Sequence, residues 1–175
     1  HRLAAQWITH GPVIGAVGPD SACVYIRSTF PMNFDLEYST DAQFGSGVST
    51  LSSATRPNLD NTMIVLLQGL SPSTRYYLRF RFGGQLDSTR GSFKPFPVAG
   101  QAGHYVLTAG SCQETADMDV FLEIPRHDPD LFIHLGDWTY PSYQLPSNYP
   151  EDWSMVELSY RKRYEEIHMR DMLRD

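Results

Sequence analysis

Short stretches of alternating apolar and polar residues fill the first half of the chain. In residues 22–29, Ala22, Val24 and Ile26 alternate with more polar side chains, and a period of two residues is typical of a half-buried strand. The same reasoning predicts further short strands at residues 7–17, 34–39, 61–67, 76–82 and 91–93. Because turn-forming Gly, Pro, Asn and Asp separate these strands, residues 1–97 predict an all-β sandwich.

The pattern changes in the second half of the chain. Residues 104–109 are a short apolar stretch, and residues 131–135 are another. Between them, Thr115 could cap a helix that runs to about Ile124, and Pro125 should stop this helix or kink its last turn. Strand, helix and strand in this order predict one βαβ unit with parallel strands, in which residues 131–135 form the buried central strand.

A stretch rich in Pro and Gly joins the two halves. It covers residues 95–103 and has the composition of a hinge, so we expect a first domain at residues 1–97 and a second at residues 98–175. A helix is predicted from Glu151 onward. Its apolar side chains recur every three or four residues, at Trp153, Val156, Tyr160, Tyr164 and Ile167.

The composition narrows the possible functions. With 41% hydrophobic and 19% charged residues, the 175-residue chain has the make-up of a globular protein. A net charge of −6 indicates no nucleic-acid-binding surface, because such surfaces are basic. No apolar segment approaches the roughly 20 residues of a membrane span. The chain begins at His1 without a signal-like segment, so we expect a processed or recombinant piece.

Potential metal ligands follow both predicted strands of the second half. Cys112 comes after the first strand, and Asp137 and Tyr140 come after the second. Parallel strands end on the same edge of a sheet, so we expect these three side chains to converge at one crevice. Taken singly, each has a simpler interpretation as a buried thiol, a turn-capping carboxylate or a packed ring. Their joint position favours a metal site.

Residues 70–76, Leu-Ser-Pro-Ser-Thr-Arg-Tyr, resemble the Leu-x-Pro-x-Thr-x-Tyr signature of fibronectin type III domains. The resemblance implies that Pro72 stiffens a turn and that the Tyr76 hydroxyl closes a backbone hydrogen bond at the corner. Such sandwiches are usually spacers or binding modules, so this motif alone says little about function.

Two further motifs resemble those of the alkaline phosphatase D (PhoD) family of metallophosphoesterases. They are Gly-Ser-Cys-Gln at residues 110–113 and His-Leu-Gly-Asp-Trp-Thr-Tyr at residues 134–140. The Ser-Tyr-Arg-x-Arg-Tyr stretch at residues 159–164 is also similar to that family. The resemblance implies a multidomain protein, with a fibronectin type III-like all-β sandwich followed by the first βαβ part of an αββα metallophosphoesterase domain.

The same resemblance implies a role for each candidate ligand. Cys112 would bind iron(III) as a thiolate, Tyr140 would bind the same iron as a phenolate, and Asp137 would bridge iron(III) and calcium. Other divalent metals could take these positions. Gln113 and His134 are expected to lie behind the ligands, and His134 could equally be a core histidine.

This chain departs from the family pattern in two places. Pro141 follows Tyr140 where relatives often carry an acidic residue, so a calcium contact from that position is lost. The family's later motifs, Asp-Asp-His-Asp followed by Asn and a final Asp-x-His, would lie beyond Asp175. We therefore expect this chain to hold only the first three ligands, and to be inactive alone.

The function implied by the resemblance is hydrolysis of a small phosphate ester, with the protein acting as a metal-dependent phosphatase or phosphodiesterase. The relatives are secreted, which implies an extracytoplasmic location. Two alternatives remain open at this point. One is a non-catalytic β-sandwich binding module, and the other is a degenerate phosphatase that keeps the fold for structural reasons.

Overall fold

A computed structural model describes residues 7–112, 119–140 and 153–174. Close contacts along the chain divide it into two compact units, one made of residues 1–103 with 173–175 and the other of residues 104–172. The first unit contains two antiparallel sheets and the second contains a parallel strand pair with helices.

The first unit has a three-stranded and a four-stranded sheet. The three-stranded sheet has the order β1-β2-β5, with β1 at Ile8–Gly15, β2 at Ser21–Ser28 and β5 at Thr62–Gln68. The four-stranded sheet has the order β4-β3-β6-β7, with β3 at Asn33–Ser39, β4 at Ser49–Ala54, β6 at Tyr76–Phe82 and β7 at Gln85–Phe93. A 3-10 turn at Pro57–Leu59 precedes β5.

Alternating apolar side chains from both sheets form the core of this unit. In β2 and β6 every second residue is buried, which is the pattern expected of strands with one face in a core. Aromatic rings fill much of the space, with the Phe34 ring 6.3 Å from Phe80 and 5.9 Å from Phe82. The fully buried apolar side chains include Ala22, Val24, Ile26, Leu36, Leu67, Leu78 and Phe80.

Two strands differ from the sequence prediction. The strand β4 was not predicted, because Ser49–Ala54 is rich in serine and lies at a sheet edge, with half of its residues exposed and none buried. The strand β7 was predicted only at residues 91–93 but begins at Gln85. Its inward positions there are Asp87 and Thr89, so polar core residues hide the alternation.

Asp87 is a fully buried carboxylate that joins β7 to the start of β1. Its Oδ2 accepts hydrogen bonds from the backbone N–H groups of Trp7 at 2.6 Å and Ile8 at 3.4 Å. Its Oδ1 accepts a third from the N–H of Thr89 at 2.7 Å. A buried carboxylate is tolerable only when its lone pairs are satisfied in this way.

The predicted hydrogen bond of Tyr76 is present, because its hydroxyl oxygen accepts from the backbone N–H of Ser71 at 2.9 Å. We expect Tyr76→Phe to lower the free energy of unfolding by about 1 kcal/mol, the usual net contribution of one such bond. Tyr77→Phe is the matched control, since the neighbouring ring points to the opposite face of β6 and is only half-buried. Urea denaturation would contradict the assignment if both variants unfolded at the wild-type midpoint.

In the second unit, two parallel strands pair with each other and are connected along the chain by a segment that contains a helix. The strand β8 spans Leu107–Gly110, the helix α1 spans Val120–Arg126 and the strand β9 spans Leu131–His134. In register, Leu107 pairs with Leu131 and Gly110 pairs with His134. Pro125 lies inside the last turn of α1 and does not end the helix before Arg126. The predicted cap, Thr115, lies outside the described residues.

The prediction that residues 131–135 are buried is wrong, since alternate positions are exposed and the others are only half-buried. Leu131, Ile133 and Leu135 are 39%, 41% and 67% exposed, and the strand ends at His134. In the described part of the chain this sheet has two strands, and α1 covers the side where Phe132 and His134 are half-buried. The other side therefore exposes its apolar residues.

Two helices end the second unit. The helix α2 spans Trp153–Glu165 and α3 spans Ile167–Met172, with a break at Glu166 inside the stretch predicted as one helix. Glu151, its predicted start, lies outside the described residues. In the part of the chain that the structure describes, none of the helices has the length and hydropathy of a membrane span.

Candidate metal centre

The carboxyl ends of β8 and β9 lie side by side and carry the candidate site. Beyond the paired strands, the N–H of Leu135 donates to the carbonyl of Gly110 at 2.7 Å. The N–H of Cys112 donates to the carbonyl of Gly136 at 3.2 Å. These bonds extend the parallel pairing past both strand ends, so the segment before Cys112 and the segment before Asp137 leave the sheet together.

Three predicted ligands come together at one carboxylate oxygen. The Oδ2 atom of Asp137 lies 2.9 Å from the Tyr140 hydroxyl and 3.6 Å from the Cys112 Sγ, and both of these groups are positioned to donate to it. The three side chains come from two strand ends 25 residues apart in sequence. A thiol, a carboxylate and a phenol thus share one point in space.

The backbone at this site adopts the left-handed conformation at two residues that are not glycine. Cys112 has φ of 61° and Asp137 has φ of 55°, while Gly136 between the strand and Asp137 has φ of 119°. Residues other than glycine adopt such φ values rarely and at a cost in free energy. Residues held in this conformation cluster at functional sites. Strain at both candidate ligands supports a role beyond ending a strand.

Tyr140 is held in its neutral form by its neighbours. Hydrogen bonding to Cys112 and to the Asp137 carboxylate raises the pKa of Tyr140 above its ordinary value. A cation bound between these groups would lower the pKa of Tyr140, because positive charge favours the phenolate.

His134 contacts the loop at residues 135–140, which carries Asp137 and Tyr140. Its Nδ1 accepts a hydrogen bond from the N–H of Gly136 at 3.3 Å, so that nitrogen carries no proton. Burial lowers the pKa of His134, and the nearby Asp137 carboxylate opposes this only in part. The ring also meets the edge of Trp138 at 4.5 Å, and Trp138 in turn lies 5.2 Å from the Tyr164 ring in α2. These contacts fix the segment that carries Asp137 and Tyr140.

A cavity of about 460 Å³ lies between the strand pair and α1. Its walls are mostly apolar and include Phe132 on the strand side and Phe121 and Ile124 on the helix side. It also reaches Ser111 and His134, which flank the strand ends. The candidate site therefore borders a space large enough for a small organic group.

The donor set combines two hard oxygen ligands with one soft sulfur ligand. Among the described residues, no group of three His, Cys, Asp or Glu side chains could hold a metal ion. The candidate site reaches three donors only when the Tyr140 hydroxyl is counted with Cys112 and Asp137. Thiolate, carboxylate and phenolate together bring three negative charges, which suit a trivalent cation. The predicted neighbour Gln113 lies outside the described residues.

Sequence reasoning missed two features of this site. The left-handed conformations of Cys112 and Asp137 have no signature in residue type, although Gly136 marks an unusual turn. The tilted ring contact between Trp138 and Tyr164 was also missed, because it depends on where α2 packs. The only signal for this contact in the sequence was that Trp138 lies between the candidate ligands Asp137 and Tyr140.

Comparisons with known proteins agree on one family. The model described as "PhoD-like phosphatase, N-terminal domain" matches residues 1–97, more than half of the chain. Alkaline phosphatase D of Bacillus subtilis (strain 168) is 30% identical over 107 residues, which are 59% of this chain and 18% of that protein. A solved structure titled "Structure of PhoD" is 20% identical and matches 99% of this chain with a TM-score of 0.83.

The last match shows that the chain shares the fold of that protein, including its sandwich-like sheets, over 38% of the solved chain. This chain thus spans well under half the length of either relative. On the match across residues 1–97, the chain belongs to the PhoD-like phosphatase family.

Proposed function

We propose that this chain is the N-terminal part of a metal-dependent phosphatase or phosphodiesterase that hydrolyses small phosphate esters at an iron(III)/calcium site. The single observation that carries the proposal is the meeting of Cys112, Asp137 and Tyr140 at one carboxylate oxygen. The residues came from two separate motifs, so their convergence was not built into either one.

In this proposal Cys112 and Tyr140 would hold iron(III), and Asp137 would serve as a ligand to both iron(III) and calcium. When bound, the two cations supply positive charge that offsets the negative charge developing on the phosphate. The chain's own task is to hold the ligands in place. Gly136 is fixed by His134, and Trp138 is packed against Tyr164, so the loop is shaped before any ion arrives.

The proposal extends to domain organisation and location. Residues 1–97 would be a fibronectin type III-like sandwich and residues 98–175 the first βαβ part of an αββα metallophosphoesterase domain. The two-sheet strand order and the hydrogen bond to the Tyr76 hydroxyl support the first assignment, and the parallel pairing of β8 with β9 supports the second. An extracytoplasmic location is proposed from the relationship to alkaline phosphatase D.

The colour of the full-length protein tests the metal site. Tyrosinate bound to iron(III) gives a visible charge-transfer band, so we expect coloured protein that contains iron. Cys112→Ser should weaken iron binding by about tenfold or more, because loss of even an indirect contact to a metal ligand commonly costs 10–100-fold in affinity. Cys23→Ser is the matched control, because Cys23 is the other free cysteine and lies in the first unit.

Colourless, iron-free protein whose phosphatase rate is unchanged by Cys112→Ser would end the proposal. That result would instead favour a binding module or a degenerate phosphatase. Tyr140→Phe distinguishes the role of Tyr140 from that of Cys112, since it should remove the tyrosinate charge-transfer band while the Cys112 side chain is still present.

A further inference from the structure

The outer face of the four-stranded sheet carries a cluster of arginine side chains, which we call the arginine face. It consists of Arg79 and Arg81 on β6, Arg90 on β7, and Arg75 just before β6. Buried and exposed positions alternate along both strands, and these residues occupy the outward positions. The chain as a whole has a net charge of −6, so a concentration of positive charge here is not a consequence of composition.

A single carboxylate, Glu37, is paired with two of these arginines. Glu37 accepts from the Nε of Arg79 with one oxygen and from the Nε of Arg81, at 2.8 Å, with the other. Burial of Glu37 works against its charge, but these two arginines outweigh burial and hold the pKa of Glu37 below its ordinary value. Asp35, the second carboxylate, accepts from the Ser52 hydroxyl at 2.6 Å. Glu37 thus carries one negative charge against the two positive charges of Arg79 and Arg81.

Arg90 is the most exposed member and lies directly opposite Arg79 in register. Like charges opposite each other across a strand pair are unfavourable, unless something else offsets them. The Nη1 of Arg90 donates to the backbone carbonyls of Asp87 at 2.6 Å and Thr89 at 2.8 Å, rather than to a carboxylate. Burial and the positive charge of Arg79 lower the pKa of Arg90, the Asp87 carboxylate opposes them in part, and the charge of Arg81 adds to the lowering.

Contacts from uncharged groups hold the arginines in place on the sheet. The guanidinium of Arg79 lies 4.1 Å from the centre of the Phe44 ring. The Arg81 Nη1 donates to the Gly84 carbonyl at 3.2 Å. Anchored side chains lose little further freedom when a ligand binds, which favours binding. The arrangement is that of a prepared anion-binding surface.

We propose that the arginine face binds a linear phosphate polyanion. A phosphate group offers more acceptor oxygens than a carboxylate, in a tetrahedral arrangement, so one group can contact several guanidinium groups at once. The sheet face is open, and one small anion would gain little from it. A chain of phosphates sums several weak contacts, because each later contact forms at high effective concentration.

This inference concerns the first unit and does not depend on the metal site. The test is fluorescence anisotropy of labelled linear polyphosphate with the 175-residue chain, at several salt concentrations. We expect saturable binding that weakens as salt rises. Arg90→Gln should weaken it by about tenfold, the equivalent of one hydrogen bond to a charged group.

Two further variants make the test specific. Ser88→Glu adds a negative charge at an exposed outward position of β7 without removing any arginine, and should also weaken binding. Arg56→Gln makes the same charge change as Arg90→Gln at an exposed position between β4 and β5, and should bind like the wild type. Thermal unfolding identifies any variant that fails to fold.

The proposal is overturned if polyphosphate does not bind at low salt, or if Arg90→Gln and Ser88→Glu bind as tightly as Arg56→Gln. Equal affinity for polyglutamate of the same charge would also overturn it, because the face would then not distinguish phosphate from carboxylate. Hydrolysis of a small phosphate ester by the full-length protein should be unchanged in Arg90→Gln, which separates this proposal from the fate of the proposed enzyme activity.

Discussion

Replacing Asp87 with alanine is expected to lower the free energy of unfolding by about 4 kcal/mol. The carboxylate accepts from the backbone N–H groups of Trp7, Ile8 and Thr89, and alanine would remove that acceptor. Each buried donor that loses its partner costs about 1–3 kcal/mol. Since small domains are stable by only about 5–15 kcal/mol, the loss would be a large share of the total.

Urea denaturation followed by tryptophan fluorescence measures this change directly. Asp87→Asn is the matched control, because it keeps one acceptor oxygen in the same space and should lose roughly half as much. If Asp87→Ala unfolded at the wild-type midpoint, the carboxylate could not be what joins β7 to β1. A change in slope as well as midpoint would indicate that the native or denatured state had changed in compactness.

The second large effect follows from the proposed iron site: Asp137→Asn should reduce iron affinity on the order of 100-fold or more. Loss of even an indirect contact to a metal ligand commonly costs 10–100-fold, and Asp137 is the point where the Cys112 and Tyr140 side chains meet. Asparagine has nearly the same shape but lacks the negative charge. The measurement is iron content per protein, together with the intensity of the charge-transfer band.

Asp119→Asn is the control for this experiment. It makes the same chemical change in the second unit, at the start of α1, where the side chain forms no capping hydrogen bond. Iron retained at full stoichiometry by Asp137→Asn would remove Asp137 from the ligand set. Thermal unfolding of both variants should match the wild type, because Asp137 is exposed in the described structure.

How much of the sandwich could be predicted depended on which residues fill its core. The strands β2 and β6 place apolar side chains inward, so their alternation is visible in the sequence. In β7, Asp87 and Thr89 occupy inward positions and make the pattern unreadable. Only the structure shows that the Asp87 carboxylate is paired with backbone N–H groups from a distant strand.

At the candidate site, the order of elements was enough to predict which residues would meet. Parallel strands must end on the same edge, and this places Cys112 close to Asp137 without any knowledge of the packing. The left-handed backbone at both residues could not be predicted, because residues other than glycine seldom adopt it. The burial of residues 131–135 was predicted wrongly, because burial depends on how many layers cover a strand.

The serine-rich strand β4 bears on how the molecule behaves at high concentration. A sheet edge offers unpaired backbone groups to any extended chain, and polar, short edge strands make poor templates for such pairing. The strand β5 ends the other sheet and carries five consecutive apolar residues at positions 63–67, of which Ile64 and Leu66 are exposed. The two sheets are thus unequally protected, and self-association of the sandwich should begin along β5.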